Sequence, residues 1–444
     1  MIASRRSLSR AAFAAFVDDL TKAAVIGGTT SFATLLYRLP GVYPTELLAS
    51  LDRLVCGESI DPAVAVSIKR EAADNGAAVV EGRSLLPLPH PLDFEWRFTP
   101  DAARSLLNRA ADLTPTGGDL LLFGTPGLAV EALTLPIDRR LAFLAEPNSV
   151  TDRVIALNRA TGSPLTIAFC SGGLPRERAD AVILDPPWYP DFVRPMVTAA
   201  AHACRPGGVV LISLPPDGAR PSAAGDRQAA IAFARRLGLD LLEHAPLVIG
   251  YETPFFERNS LAAGRIYPPR QWRRGDLVLF RKARASKRPP PISSARHRDW
   301  TEVNIGRMRL FIRDGGDKRS GEANLRSLVD GDVLPTVSRR DARRRLADVW
   351  TSGNRIFRTD NPRLVLDAAI SCTGEGMGPG VQPPLWGTMR EREMVERVAA
   401  KLRFLAGLEA REESNAPTAA AEWSVAWRSS STSYWSRSMV TISG

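Results

Sequence analysis

The sequence predicts an α/β chain built on a doubly wound sheet. Three observations predict it. Four short apolar runs, DLLLFG (119–124), RLAFLAE (140–146), LTIAFC (165–170) and DAVILD (180–185), recur at regular intervals. Segments of helical pattern lie between them, among them LAVEALTL and SVTDRVIALNRA. A fifth run, GGVVLISLP (207–215), is followed by a helical segment, DRQAAIAFARRLG (226–238). Continuous apolar strands alternating with helices belong to a parallel sheet covered on both faces. LDLLEHAPLVIGY and DLVLFRK (276–282) add two further strands.

Five regions follow along the chain. Residues 1–95 read as helical, with PTELLASLDRLV (44–55) and DPAVAVSIKREAAD (61–74) starting at Pro44 and Asp61. AAVVEGRSLLPL (77–88) reads as extended, so two helices and a strand admit a winged helix, or equally a helical cap over the next domain. The α/β domain occupies 96–284, and 285–298 is a basic, proline-rich linker. Residues 299–410 form an accessory α+β region. RMRLFIR (307–313) reads there as a strand, SRRDARRRLADVW (338–350) as a basic helix and REREMVERVAAKLRFLAGL (390–408) as an amphipathic helix. The Ser- and Ala-rich tail, 411–444, is expected to be disordered.

Composition bounds the partners. The 444 residues carry a net charge of +10, almost all of it arginine, with six lysines. Arginine and alanine together are what a GC-rich genome writes, so the charge permits an anionic partner without requiring one. The cysteines, Cys56, Cys170, Cys204 and Cys372, and the four histidines have no metal-ligand spacing, so neither a metal site nor a disulfide framework is expected. Free cysteines fit a cytoplasmic setting. The first twenty residues have basic positions and an apolar run, but Asp18 and Asp19 interrupt it after Phe16, which suits an amphipathic helix better than a leader. No apolar stretch is long enough to span a membrane. Oligomeric state is not legible.

The chemistry concentrates at the ends of the predicted strands, where open α/β sheets bind ligands. Asp185-Pro186-Pro187-Trp188 closes the fourth run. The Asp185 carboxylate and the Pro186 carbonyl can accept from an NH2 group, the prolines stiffen the turn, and Trp188 offers a flat face to a heteroaromatic ring. A strand-ending turn is the plain alternative. Gly124-Thr125-Pro126-Gly127 closes the first run and Glu146 the second, an acidic position suited to ribose hydroxyls. Tyr251, Phe255, Phe256 and Asn259, after the sixth strand, are candidate acceptor contacts. His90 to Phe98 reads either as a lid or as a linker packed on the sheet.

On these motifs, residues 96–284 resemble the class I S-adenosylmethionine-dependent methyltransferases whose D/N/S-P-P-aromatic motif acts on amino nitrogens. The order matches: cofactor loop, DPPW, the GGVVLIS strand, then a closing antiparallel strand at DLVLFRK. The resemblance implies that Gly124, Thr125 and Gly127 flank the methionine part of S-adenosylmethionine. It places Glu146 at the ribose, Cys170 and Ser171 near the adenine, and Asp185 to Trp188 on the acceptor amine. Leu122 and Phe123 stand where the family has an acidic residue before its glycine loop. The implied acceptor is an exocyclic adenine amine in RNA or DNA. A protein amine, or aminopropyl transfer to a polyamine as in branched-chain polyamine synthases, is the alternative, and a non-catalytic methyltransferase-fold module is the third reading.

Overall fold

The computed structural model describes residues 8–74, 85–170, 173, 176–285, 299–314, 321–373 and 388–414. The chain opens with four helices, α1 (Arg10–Ile26), α2 (Phe32–Arg38), α3 (Pro44–Cys56) and α4 (Pro62–Ala73). Ser9 caps α1 by accepting from Ala12 N at 3.1 Å, and Asp61 caps α4 by accepting from Ala63 N at 2.8 Å. Proline leads both α3 and α4, where its missing N–H costs nothing. Phe13, Val17, Leu35, Leu47, Leu51 and Ile68 pack together around Trp272, which comes from the next region. Of the segment expected to be extended, 77–84 lie outside the described residues, and 85–88 form no strand.

The central region contributes β1 (Arg97–Phe98), α5 (Pro100–Asp112), β2 (Asp119–Phe123), α6 (Pro126–Ala132), β3 (Arg140–Ala145), α7 (Ser149–Thr161), β4 (Thr166–Phe169) and β5 (Ala179–Leu184). It continues with α8 (Pro190–Ala203), β6 (Cys204–Leu214), α9 (Ala223–Arg236), β7 (Leu239–Glu252), α10 (Phe255–Ala263) and β8 (Arg274–Lys282). The described strands form one sheet in the order β1-β7-β8-β6-β5-β2-β3-β4. Strands β2 to β6 are parallel, and β8 runs antiparallel to both β6 and β7, as the closing strand was expected to do. Strand alternation feeds two cores. Leu120, Leu122, Ala181 and Ile183 face Leu106, Leu128 and Val150 of α5, α6 and α7, while Leu121, Phe123, Val182 and Leu184 face Val193, Met196 and Ile231 of α8 and α9. The sheet is doubly wound, with its faces covered by helices.

The C-terminal region is a second sheet of five described strands, ordered β11-β13-β12-β10-β9 and antiparallel throughout. These are β9 (Trp300–Ile305), β10 (Met308–Arg313), β11 (Arg326–Ser327), β12 (Val349–Thr351) and β13 (Ile356–Arg358). Helices α11 (Pro362–Ile370) and α12 (Met389–Ser414) cover it through Val365, Ala368, Val398 and Leu402. The helix expected over 338–350 does not form. Asp341 accepts from Arg343 N at 2.9 Å and starts a short 3-10 turn, Ala342–Leu346, before Val349 and Trp350 enter the sheet. Burial decides the outcome: Arg344 is 9% exposed and lies over the rings of Trp350 and Phe94, so the basic run is not a solvated helix face. Residues 286–298 and 415–444, which hold most of the linker and tail, lie outside the described residues. No helix among the described residues is long and apolar enough to cross a membrane.

Candidate active site

The chain leaves β2 outward to β3 and β4, then returns across β2 to β5, so the strand order reverses between β2 and β5. A crevice opens at such a reversal, outside the carboxyl ends of the strands. Gly124 lies on one side of it and Asp185 on the other. Gly124 turns the chain with φ +63°, a left-handed conformation that glycine adopts without strain, and its N–H donates to Leu144 O of β3 at 2.9 Å. Thr125 is 5% exposed, and among the described residues its hydroxyl has no hydrogen-bond partner. Gly127 carries the Arg97 side chain against it, at 3.6 Å from where a Cβ would sit. Glu146 follows β3 half-buried, and its carbonyl accepts the Thr151 hydroxyl at 2.8 Å, closing the turn into α7. Cys170 follows β4, partly exposed, and Ser171 lies outside the described residues.

Asp185 is gripped from the return strands. The Tyr251 hydroxyl of β7 donates to Asp185 Oδ1 at 2.6 Å, and Ser213 of β6 bonds the same hydroxyl at 2.5 Å. Since the Tyr251 proton is committed to the carboxylate, Ser213 is the donor to Tyr251. Burial pushes the Asp185 carboxyl up to about 7, against the opposing pull of Tyr251, Arg273 and Ser213. Gly275 makes the arrangement possible. A Cβ there would lie 2.8 Å from Ser213 Oγ, 3.0 Å from the Trp188 ring and 3.1 Å from the Tyr251 ring.

Trp188 is 8% exposed. The Arg273 guanidinium lies over its ring at 4.6 Å and over that of Trp96 at 3.9 Å, and Tyr251 meets Trp188 edge-on. The flat face expected to receive an acceptor ring therefore carries an internal cation. Arg273 also stands 3.8 Å from Glu257, a fully buried carboxylate that burial pushes up to about 7. Pro186 is buried, and the Pro187 carbonyl accepts from Tyr189 N at 2.6 Å, tightening the turn into α8.

Of the four candidate acceptor contacts, the structure brings Tyr251 to Asp185. Phe255 and Phe256 are each 3% exposed, packed inside α10. Asn259 points elsewhere, donating at 3.1 Å to both Gly353 O and Glu412 Oε2 of the C-terminal region. The segment His90 to Phe98 is packed between regions: His90 is fully buried with Nε2 3.2 Å from Trp350 O. Ser213, Arg273 and Gly275 were not anticipated, whereas Trp96 falls in the His90 to Phe98 segment read as lid or linker and Glu257 in the Tyr251 to Asn259 stretch read as an acceptor region. Ser213 had a signal, since its run is the sheet neighbour of the Asp185 run. Among the described residues no cluster of His, Cys, Asp and Glu is placed to hold a metal.

No protein-family model matches the chain, and no curated protein does. Among solved structures the chain is similar to the branched-chain polyamine synthase of Thermus thermophilus in complex with N4-aminopropylspermidine and 5'-methylthioadenosine. The identity is 13%, over 63% of this chain and 91% of that one, with a TM-score of 0.46. A putative RNA methyltransferase of Pyrococcus horikoshii is 19% identical, over 44% of this chain and 90% of that one, with a TM-score of 0.34. TrmN of Thermus thermophilus is 18% identical, over 41% and 49%, with a TM-score of 0.29. These likenesses are distant; the strand order and the residues around Asp185 carry the reading that follows.

Proposed function

We propose that the chain is an S-adenosylmethionine-dependent N-methyltransferase whose acceptor is an exocyclic adenine amine in nucleic acid. One observation carries the proposal. A carboxylate, oriented by the Ser213–Tyr251 relay, stands across the strand-order reversal from a glycine turn. The residues present fit the cofactor. Among the described residues the buried Thr125 hydroxyl has no partner, and a Cβ on Gly124 would meet only the flexible end of Met196, at 3.5 Å. Gly124, Thr125 and Gly127 would hold the methionine part, Glu146 the ribose hydroxyls, and Cys170 with Ser171 the adenine. The cofactor supplies a methyl group activated by a sulfonium.

The chain's own work is alignment and proton management. With Tyr251 holding Asp185 Oδ1, the carboxylate and the Pro186 carbonyl would accept from the acceptor's N–H groups and turn its lone pair toward the crevice. A carboxyl raised to about 7 is also poised to take the proton the nitrogen sheds. A cationic amine, a lysine or a polyamine, is the second reading. It is favoured by the cation already housed beside Asp185, where Arg273 sits between Trp96 and Trp188 near Glu257.

Calorimetric titration with S-adenosylmethionine tests the foundation. Wild type binds, and E146A binds about ten- to a hundredfold more weakly, the value of a hydrogen bond to a charged group. Absence of binding by wild type would leave the non-catalytic module. A labelled-methyl screen over RNA, DNA, protein and polyamine then identifies the acceptor.

A further inference from the structure

A single cation stands beside two buried carboxyl groups. Asp185 follows β5 and is clamped by the Tyr251 hydroxyl at 2.6 Å, while Glu257, in the first turn of α10, is fully buried. Arg273, one residue before β8, lies 3.8 Å from Glu257 Oε1. Its guanidinium is stacked between Trp188 of the DPPW turn, at 4.6 Å, and Trp96, at 3.9 Å. Trp96 belongs to a strap, His90 to Phe98, which the C-terminal region holds by Arg309 at Asp93 and by Arg344 at Pro91 O. Tyr251 N donates to Arg273 O at 3.0 Å, so the strand that clamps Asp185 also fixes the backbone of the arginine.

The groups acting on Asp185 are Tyr251 of β7, Ser213 of β6 and Arg273. Those acting on Glu257 are Arg273 and Tyr43, the residue before α3. At 3.8 Å the link between Arg273 and Glu257 is one of charge, beyond the reach of a hydrogen bond. The division of that charge matters to the proposed reaction. Given wholly to Asp185, the cation would hold the carboxyl ionised and a poor taker of protons. Withdrawn altogether, it would leave burial to hold the carboxyl neutral and a poor acceptor of N–H groups. Shared between the two, it does neither: burial pushes both carboxyls up to about 7.

We infer that Arg273 is a positioning residue shared by Asp185 and Glu257, and that Glu257 draws its charge into the Trp96–Trp188 sandwich and off Asp185. The use of this arrangement in transfer rests on the reading of Asp185 as the carboxyl that receives the acceptor amine. Removing either partner then moves Asp185 in opposite directions. E257Q leaves the cation to Asp185, favours its ionised form and moves its titration to lower pH. R273M strips Asp185 of the cation and moves its titration to higher pH. R273K keeps the charge and stays near wild type. Because Glu257 acts through Arg273, adding E257Q to R273M changes nothing further, a coupling that a double-mutant cycle reads directly.

Two readouts on the full chain test it. In the pH profile of kcat/KM for methyl transfer, the limb falls by about one pH unit in E257Q and rises by about one in R273M, the effect of one nearby charge. The double variant has the limb of R273M. Lost stability alone lowers the rate at every pH and moves the limb in neither direction. The second readout needs no activity: carbon-13 NMR of the aspartate carboxyls, with the Asp185 resonance assigned by its loss in D185N, follows the titration of Asp185 itself. Opposite displacements in the two single variants are expected. Displacement in one direction, none in E257Q, or an E257Q displacement that survives in R273M would overturn the inference. If R273M does not fold, E257Q and R273K decide: a lowered midpoint in the first with the second near wild type supports the sharing, and any other pair of results overturns it. Opposite displacements in a chain that transfers no methyl group would keep the role of Arg273 and overturn the transferase reading instead.

Discussion

In the proposed reaction Asp185 acts only in the protonation state its neighbours allow. Burial raises its carboxyl to about 7, while Tyr251, Arg273 and Ser213 hold it from rising further. If the carboxylate form accepts the amine, kcat/KM climbs as pH rises through about 7. Removing the Tyr251 donor by Y251F weakens the ionised form, so that limb moves to higher pH; a pH–rate profile with an unmoved limb would contradict the role. The same shift has a sign for stability. A carboxyl raised from 3.8 to about 7 on folding favours the native state below 3.8, and the contribution is lost as pH rises through about 7. Glu257, raised from 4.5 to about 7, acts in the same direction. Denaturant titrations across pH 4 to 8 should therefore show a steeper decline in wild type than in D185N. Asp185, Gly124 and Glu146 were legible in the sequence because each directly ends an apolar run. Arg273 was not, because it stands just before β8 and what brings it to Asp185 is the return of that strand between β6 and β7, a tertiary fact with no local pattern.

At the scale of elements, the register of the return strands matters as much as the parallel core. Gly275 sits where β8 passes Ser213, Trp188 and Tyr251, with under 3.2 Å available to a side chain. G275A overpacks three residues at once and is expected to cost about 1–3 kcal/mol, read as a lowered denaturation midpoint, with transfer falling further than stability alone explains. Retained activity would show that the contact is slack. The strands of the doubly wound sheet were legible as short apolar runs, and their helices by spacing. The C-terminal sheet was less so. Strands β12 and β13 are three residues each, too short for any period to appear. The arginines of 338–350 mimic a helical face, yet Arg344 is spent on Trp350, Phe94 and a carbonyl of the strap.

At the scale of the whole molecule, the regions are joined by buried charge rather than by apolar contact alone. Arg309 is fully buried between Asp93 of the strap and Glu302 of β9. Replacing it by methionine strands two carboxylates, an expected loss of about 3–5 kcal/mol visible in denaturant unfolding. Part of the positive charge that is suggestive in the sequence is used inside the structure, where buried Arg309 and Arg344 tie the regions together.

In the proposed reaction Asp185, held by Tyr251, receives the acceptor amine beside the cofactor crevice. Single-turnover transfer from labelled S-adenosylmethionine by D185A, with cofactor affinity measured on the same sample, tests it most directly. The account predicts unchanged cofactor affinity and transfer reduced by about a hundredfold or more, the contribution of a positioned acid–base group. Undiminished transfer by D185A would contradict it.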